Sequence, residues 1–160
     1  NPSWRKVMAT EYHVHSNHNP WPQRAIRDER FKLILNPLSG QINPGYDFTM
    51  SKKFLSASES ELMNSASEQV RQAYKISKRP PLYELYDLES DPYEFKNLAD
   101  DLKYSENLNK LKQLLVDWQK ALGDPLISPE ASKKLFDIIM STGTKERIKI
   151  NYKSLMGIKP

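Results

Sequence analysis

The sequence predicts an α+β fold: a small antiparallel β-sheet with helices packed on one face. Three observations carry this. Residues 24–36, "RAIRDERFKLILN", read as a hairpin in which Phe31, Leu33 and Leu35 share a face. Residues 105–122 place Leu108, Leu111, Leu114, Leu115, Trp118 and Leu122 along one side of a helix. Between them, "LYELYDL" at 82–88 is a short strand bounded by "KRPP" and "ESDPYE".

Taken in order, residues 6–15 alternate as a strand. Met8, Tyr12 and Val14 fall on one face, taken as the core side, and Glu11, His13 and His15 on the other. "NHNPWPQ" is a proline-broken loop before the hairpin, whose charged "DE" sits at the turn. Residues 37–50, rich in Pro, Gly and Asn, read as a loop. Ser58 and Glu61 form a capping box, and Leu62, Ala66, Val70 and Ala73 continue as one amphipathic helix until the prolines at 80 and 81. Asp91-Pro92 sets a tight turn and Asn97 caps "LADD". Ser105 caps the leucine-rich helix, which Gly123 and Pro125 end. Ser128, Pro129 and Glu130 open another helix, carrying Leu135, Ile138 and Ile139. The domain is expected over residues 1–142, with 143–160 an edge strand or tail.

Composition narrows the class. With 160 residues, 38% of them hydrophobic and 28% charged, the chain has room for one domain with a core. No apolar run approaches the roughly 18–20 residues of a membrane span, and no signal-peptide pattern opens the chain. The opening "NPSWRKVMATEY" runs without methionine into strand-like sequence, as expected of a segment of a longer protein. Zero cysteines remove disulfides, thiolate metal sites and a cysteine nucleophile. The net charge of +4 suits anionic partners, but Lys and Arg are scattered among acids and no nucleic-acid-binding signature is present.

All three histidines lie in "EYHVHSNHN", residues 11–19. Three readings stand side by side. His13, His15 and His18 have the donor types of a three-nitrogen zinc site. They also suit a solvated polar strand end. Third, Glu11, His13 and His15 with Arg24 and Arg27 suit sulfate, carboxylate or phosphate oxygens. The alternation of Arg24 and Arg27 with acids in a hairpin equally suits structural ion pairs. No G-x-S-x-G elbow, phosphate-cradling glycine loop or H-E-x-x-H is present.

"LYELYDLESDPYEFKNLAD" at 82–100 resembles the C-terminal signature of the sulfatase family, a strand ending L-Y-D-L followed by D-P-x-E and N-L-A. "PQRAIRDERFKLILN" resembles that family's P-x-R-A-[VI]-R-x-x-[RK]-[FY]-K segment, and "LLVDWQ" sits where the family has a Leu-rich helix. The histidine-bearing strand, the "NPGYDF" insertion and the "DP" after the tryptophan helix are most similar to the heparan N-sulfatase branch. The resemblance implies the smaller C-terminal subdomain of an alkaline-phosphatase-like enzyme. Its partner would be an N-terminal domain holding formylglycine and calcium, its substrate a sulfated glycan, and its location outside the cytoplasm. No Cys- or Ser-x-Pro-x-Arg occurs here, so no catalytic residue and no cofactor is expected in this chain. His15, His13, Glu11 and Arg24 are the expected substrate contacts, with His15 the best match to the branch's pocket histidine. The alternative is a stand-alone module binding an anionic glycan or a protein partner, without catalysis.

Overall fold

A computed structural model describes residues 5–13, 21–50, 57–142 and 146. Four strands, β1 (Met8–Tyr12), β2 (Gln23–Arg27), β3 (Phe31–Leu35) and β4 (Tyr83–Asp87), form one antiparallel sheet in that order. The five helices of the described residues are α1 (Pro44–Thr49), α2 (Glu59–Ser65), α3 (Glu68–Lys78), α4 (Ser105–Leu122) and α5 (Pro129–Ser141). The expected sheet-plus-helices architecture is the one observed. The expected tail at 143–160 lies outside the described residues, apart from Glu146.

The β2–β3 hairpin closes as its sequence requires. Asp28 Oδ1 accepts from the amides of Arg30 and Phe31 at 3.0 and 2.8 Å, and its other oxygen takes Lys110 Nζ of α4 at 2.9 Å. Registers Ile26↔Leu33 and Leu33↔Leu85 then put three strands' apolar residues on one face. Leu111 and Leu115 of α4 cover them, with Phe31 and Leu98 completing the core. Each fully buried aliphatic side chain contributes about 1.5–3 kcal/mol.

The outer side of β4 is occupied without a fifth strand. Asn97 Oδ1 accepts from the amides of Leu85 and Ala99, both at 2.9 Å, and Leu98 N donates to Leu85 O at 2.8 Å. The "N-L-A" string therefore caps its own turn and covers a sheet edge that would otherwise be open to pairing. The preceding turn forces Glu94 to φ 58°, unusual for a residue with a Cβ, and Lys32 holds the Glu94 carboxylate at 2.7–2.8 Å.

The structure departs from the sequence expectation in several places. On β1, Ala9 faces the core while Met8 is 50% exposed, because the register pairs Ala9 with Ile26. Strand parity is set by Ile26 and Leu33, and β1 follows its neighbour. The helix expected from Ser58 onward is two: the capping box forms as expected, but Ala66 is extended at ψ 151° and Ser67 caps α3 by accepting the Val70 amide at 3.3 Å. Serines that bond local backbone compete with helix continuation. The expected loop at 37–50 contains α1, whose first turn receives the Asn43 side chain (Gly45 N to Oδ1, 2.9 Å). Ser105 lies within α4 rather than capping it; Asp101 caps the short turn Leu102–Tyr104 that leads into the helix. At the other end Gly123 adopts φ 62°, the left-handed cap its missing Cβ favours.

That cap turns the chain so that Asp124 meets β2. Arg24, 0% exposed, donates Nε to Asp124 Oδ2 at 2.7 Å and Nη2 to Oδ1 at 2.8 Å. Its Nη1 reaches the carbonyls of Gln23 (2.9 Å) and Tyr12 (3.3 Å), while Gln119 Nε2 and the Leu126 amide also donate to Asp124, at 2.8 and 3.0 Å. Burial pushes the Asp124 carboxyl up, but these hydrogen bonds outweigh it and hold the group below its ordinary 3.8.

Two predictions follow from these ion pairs. Asp124→Asn leaves the Arg24 charge buried without its counter-ion and is expected to lower stability by about 3–5 kcal/mol, read as a fall in the urea midpoint. The double variant Arg24→Met with Asp124→Leu should recover most of that loss; if the single variant loses less than about 1 kcal/mol, the pair is not what docks α4's end. The second concerns Asp87, which Arg30 clasps through Nε and Nη2 at 2.9 and 2.7 Å. Arg30's hydrogen bonds lower its pKa to about 2, so the contribution is complete above the ordinary 3.8 and disappears as pH falls through about 2. Unfolding midpoints measured against pH should show wild type and Asp87→Asn converging over that window, and a constant gap would contradict it.

Candidate functional site

The site proposed by the sequence lies at the end of β1, and the structure describes part of it. Glu11 pairs across the ladder with Arg24, and Tyr12 with Gln23, so His13 emerges just past the last ladder pair. Glu11 and His13 are drawn together: Glu11 Oε2 lies 3.5 Å from His13 Nε2, with the side chains 48% and 28% exposed. The other ring nitrogen, Nδ1, is buried and has no hydrogen-bond partner among the described residues. A buried imidazole nitrogen left unpaired is disfavoured, and a hydroxyl or amide entering beside it would gain a bond it lacks. His15 and His18, with Val14, lie outside the described residues.

Arg24 is not on this accessible edge. Its guanidinium is enclosed and engaged by Asp124 and two carbonyls, so of the two roles the sequence left open for it, the structure shows the ion pair. It acts on the site through the backbone: by bonding the Tyr12 carbonyl, it fixes the strand residue between Glu11 and His13. Trp21, 1% exposed, closes the same end, its ring edge-on to Phe136 of α5 at 6.4 Å and 85°. Arg27 sits at the opposite end of β2, level with Met8, and is not brought to the histidines.

The residues that sequence reasoning missed are mainly Asp124 and Gln119, which organise the site from behind. The "G-D-P" that ends the leucine-rich helix was visible as a stop, but its aspartate carried no sign of a partner 100 positions away. Asp87, the last residue of β4, is likewise a buried ion-pair partner, with 2% of its side chain exposed.

The second face of the sheet carries a further polar assembly. Gln23 Nε2 donates to Asn36 Oδ1 at 2.7 Å, Asn36 Nδ2 donates to Glu84 Oε1 at 2.7 Å, and the Tyr86 hydroxyl donates to the other Glu84 oxygen. Gln23, Glu84 and Tyr86 of this assembly line a cleft of about 250 Å³ that Ala73 and Ile76 of α3 also line. Burial, with Glu84 alongside, pushes the Tyr86 hydroxyl up, so it stays protonated and donating.

Among the described residues no group of three His, Asp or Glu side chains gathers as a metal-ion cradle. What Glu11 and His13 can do is accept and donate hydrogen bonds to a ligand at the sheet's edge. No helix among the described residues is long and apolar enough to cross a membrane.

Comparison with known proteins bears on what that end belongs to. No family model matches the chain. Two ulvan-active sulfatases of Formosa agariphila align at 36% identity over 115 residues and 30% over 145, covering 68% and 76% of this chain. The human N-sulphoglucosamine sulphohydrolase aligns at 28% identity over 131 residues, 79% of this chain. A solved 2-O GAG sulfatase superposes with a TM-score of 0.46 at 23% identity, over 77% of this chain and 18% of that one. The chain spans 18–25% of the length of the three curated relatives. By sequence, then, the chain is a partial homologue of the sulfatases, matching one segment of them across at least two thirds of its own residues.

Proposed function

We propose that this chain forms the C-terminal, pocket-shaping part of a sulfatase that removes sulfate from sulfated glycans. The observation that carries the reading is the sequence relationship to three sulfatases over 68–79% of the chain. Formylglycine and calcium are assigned to an N-terminal domain of the same polypeptide, against which this domain packs; the parent acts after export. Glu11 and His13 hydrogen-bond sugar hydroxyls or a carboxylate and fix the ring's orientation. His15 joins them on the strength of the family resemblance. Arg24 serves as a positioning residue behind them, through the Tyr12 carbonyl.

Heparan-type glucosamine N-sulfate is the favoured substrate, supported by the human relative, whose name specifies N-sulphoglucosamine. The ulvan-active relatives, aligned at 36% and 30% identity, favour ulvan as the second reading. A stand-alone binding module remains the competing class, and the two differ in what a longer chain would do.

The expected results are concrete. The 160-residue chain alone should release no sulfate from N-sulfoglucosamine or aryl sulfates, with or without calcium, and turnover by it would overturn the reading. In the full-length enzyme, Glu11→Gln, His13→Ala and His15→Ala should each raise KM by about 10-fold, the worth of one hydrogen bond to a charged group, with kcat little changed. Steady-state kinetics on both candidate substrates measures this. An unchanged KM in all three variants would remove the edge from the pocket.

A further inference from the structure

The opposite end of β1 carries an unassigned cluster of cations. A surface cleft of about 450 Å³ is lined by Arg5, Lys6, Met8, Arg27, Asp28 and Glu29. Arg27 lies level with Met8 in the ladder, and Arg5 and Lys6 come from the approach to β1, so two separate segments converge on one opening. Of the two carboxylates there, Asp28 is already committed to the Arg30 and Phe31 amides and to Lys110. Arg27 makes a 3.3 Å bond from Nε to the Asp28 carbonyl, and among the described residues neither it, Arg5 nor Lys6 is ion-paired to a carboxylate. Other cations of the sheet are spoken for: Lys32 by Glu94, Arg30 by Asp87 and Glu89, Arg24 by Asp124.

We infer that the Arg5–Lys6–Arg27 cleft is a second subsite, holding an anionic group of a polyanionic glycan that runs along the β1 edge. Guanidinium and ammonium donors free of internal carboxylates are suited to sulfate or carboxylate oxygens. The volume is within the range of small-ligand sites. Met8 and Tyr12 are four residues apart on the strand, so the cleft lies roughly 13 Å along it from the Glu11–His13 end. Met8 and Arg27 point to the face opposite Ala9 and Glu11, so a ligand reaching both sites crosses the strand edge. A ligand touching both must be a chain, with charge recurring along it. The inference takes the ligand's class from the sulfated-glycan reading, but the site's position is independent of it.

The test is binding of heparin-derived oligosaccharide to the 160-residue chain, measured by calorimetry at low and moderate salt. The triple variant Arg5→Gln, Lys6→Gln, Arg27→Gln is compared with Lys103→Gln, Lys120→Gln, Lys134→Gln, which removes the same charge from exposed positions elsewhere. Thermal melting of both shows that each is folded. The cleft variant should bind at least about 10-fold more weakly and lose salt dependence, with the control within about 2-fold of wild type. Equal losses in the two variants, retained affinity in the cleft variant, or no binding by the wild type would each overturn the subsite. None of these touches the pocket reading, which is judged by KM in the full-length enzyme. An oligosaccharide stripped of sulfate but still carboxylated separates the sources: retained binding assigns the cleft to carboxylates, and lost binding assigns it to sulfates.

Discussion

The Arg24–Asp124 pair is the constraint on which the rest of the arrangement depends. Two charges are withdrawn from water, which is unfavourable unless the geometry is good and the remaining donors find partners. Here both conditions hold: the clasp is bidentate, Gln119 and the Leu126 amide complete the carboxylate, and two carbonyls complete the guanidinium. The pair joins residues 100 positions apart, tying the exit of α4 to the start of β2. It thereby fixes where α5 begins, and with it the wall on which Trp21 rests against Phe136. Because Arg24 also bonds the Tyr12 carbonyl, the last residues of β1 are held by the same group. Glu11 and His13 meet at the sheet's edge as a result of this buried contact.

How much of this was legible in the sequence follows from the range of each interaction. The hairpin of 24–36, the Ser58–Glu61 capping box and the Gly123 stop rest on neighbours within a few residues, and all three formed as read. The face of β1 was misread because a five-residue strand of mixed character does not choose its own parity; Ile26 across the ladder does. The break at Ala66 was a contest between an apolar stripe and a second serine cap, and no core contact strong enough to favour the stripe exists, since neither α2 nor α3 buries a residue. Arg24 was visible as a hairpin arginine, yet whether it met a ligand or an acid depended on Asp124, far along the chain.

The same accounting of partners distinguishes structural cations from those available to ligands. Arg24, Arg30, Lys32 and Lys110 each serve a carboxylate of the fold, and three of those acids, Asp124, Asp87 and Asp28, are held below their ordinary pKa. For Asp28 burial acts in the opposite direction and is outweighed by the Phe31 amide, Lys110 and the Arg30 amide. The acids lie on β4, in the hairpin turn and beyond α4, so their partners are drawn to the inner strands and the helix. Beside the edge strand β1 lie groups that no carboxylate among the described residues takes up: His13 Nδ1 just past one end, and Arg5, Lys6 and Arg27 at the other. An edge strand that carries charge resists pairing with another sheet. On β1 itself that charge is the acid Glu11, whereas the cations of the inferred subsite, Arg5, Lys6 and Arg27, lie before the strand and on β2, so protection of the edge and recognition of an anion draw on different side chains.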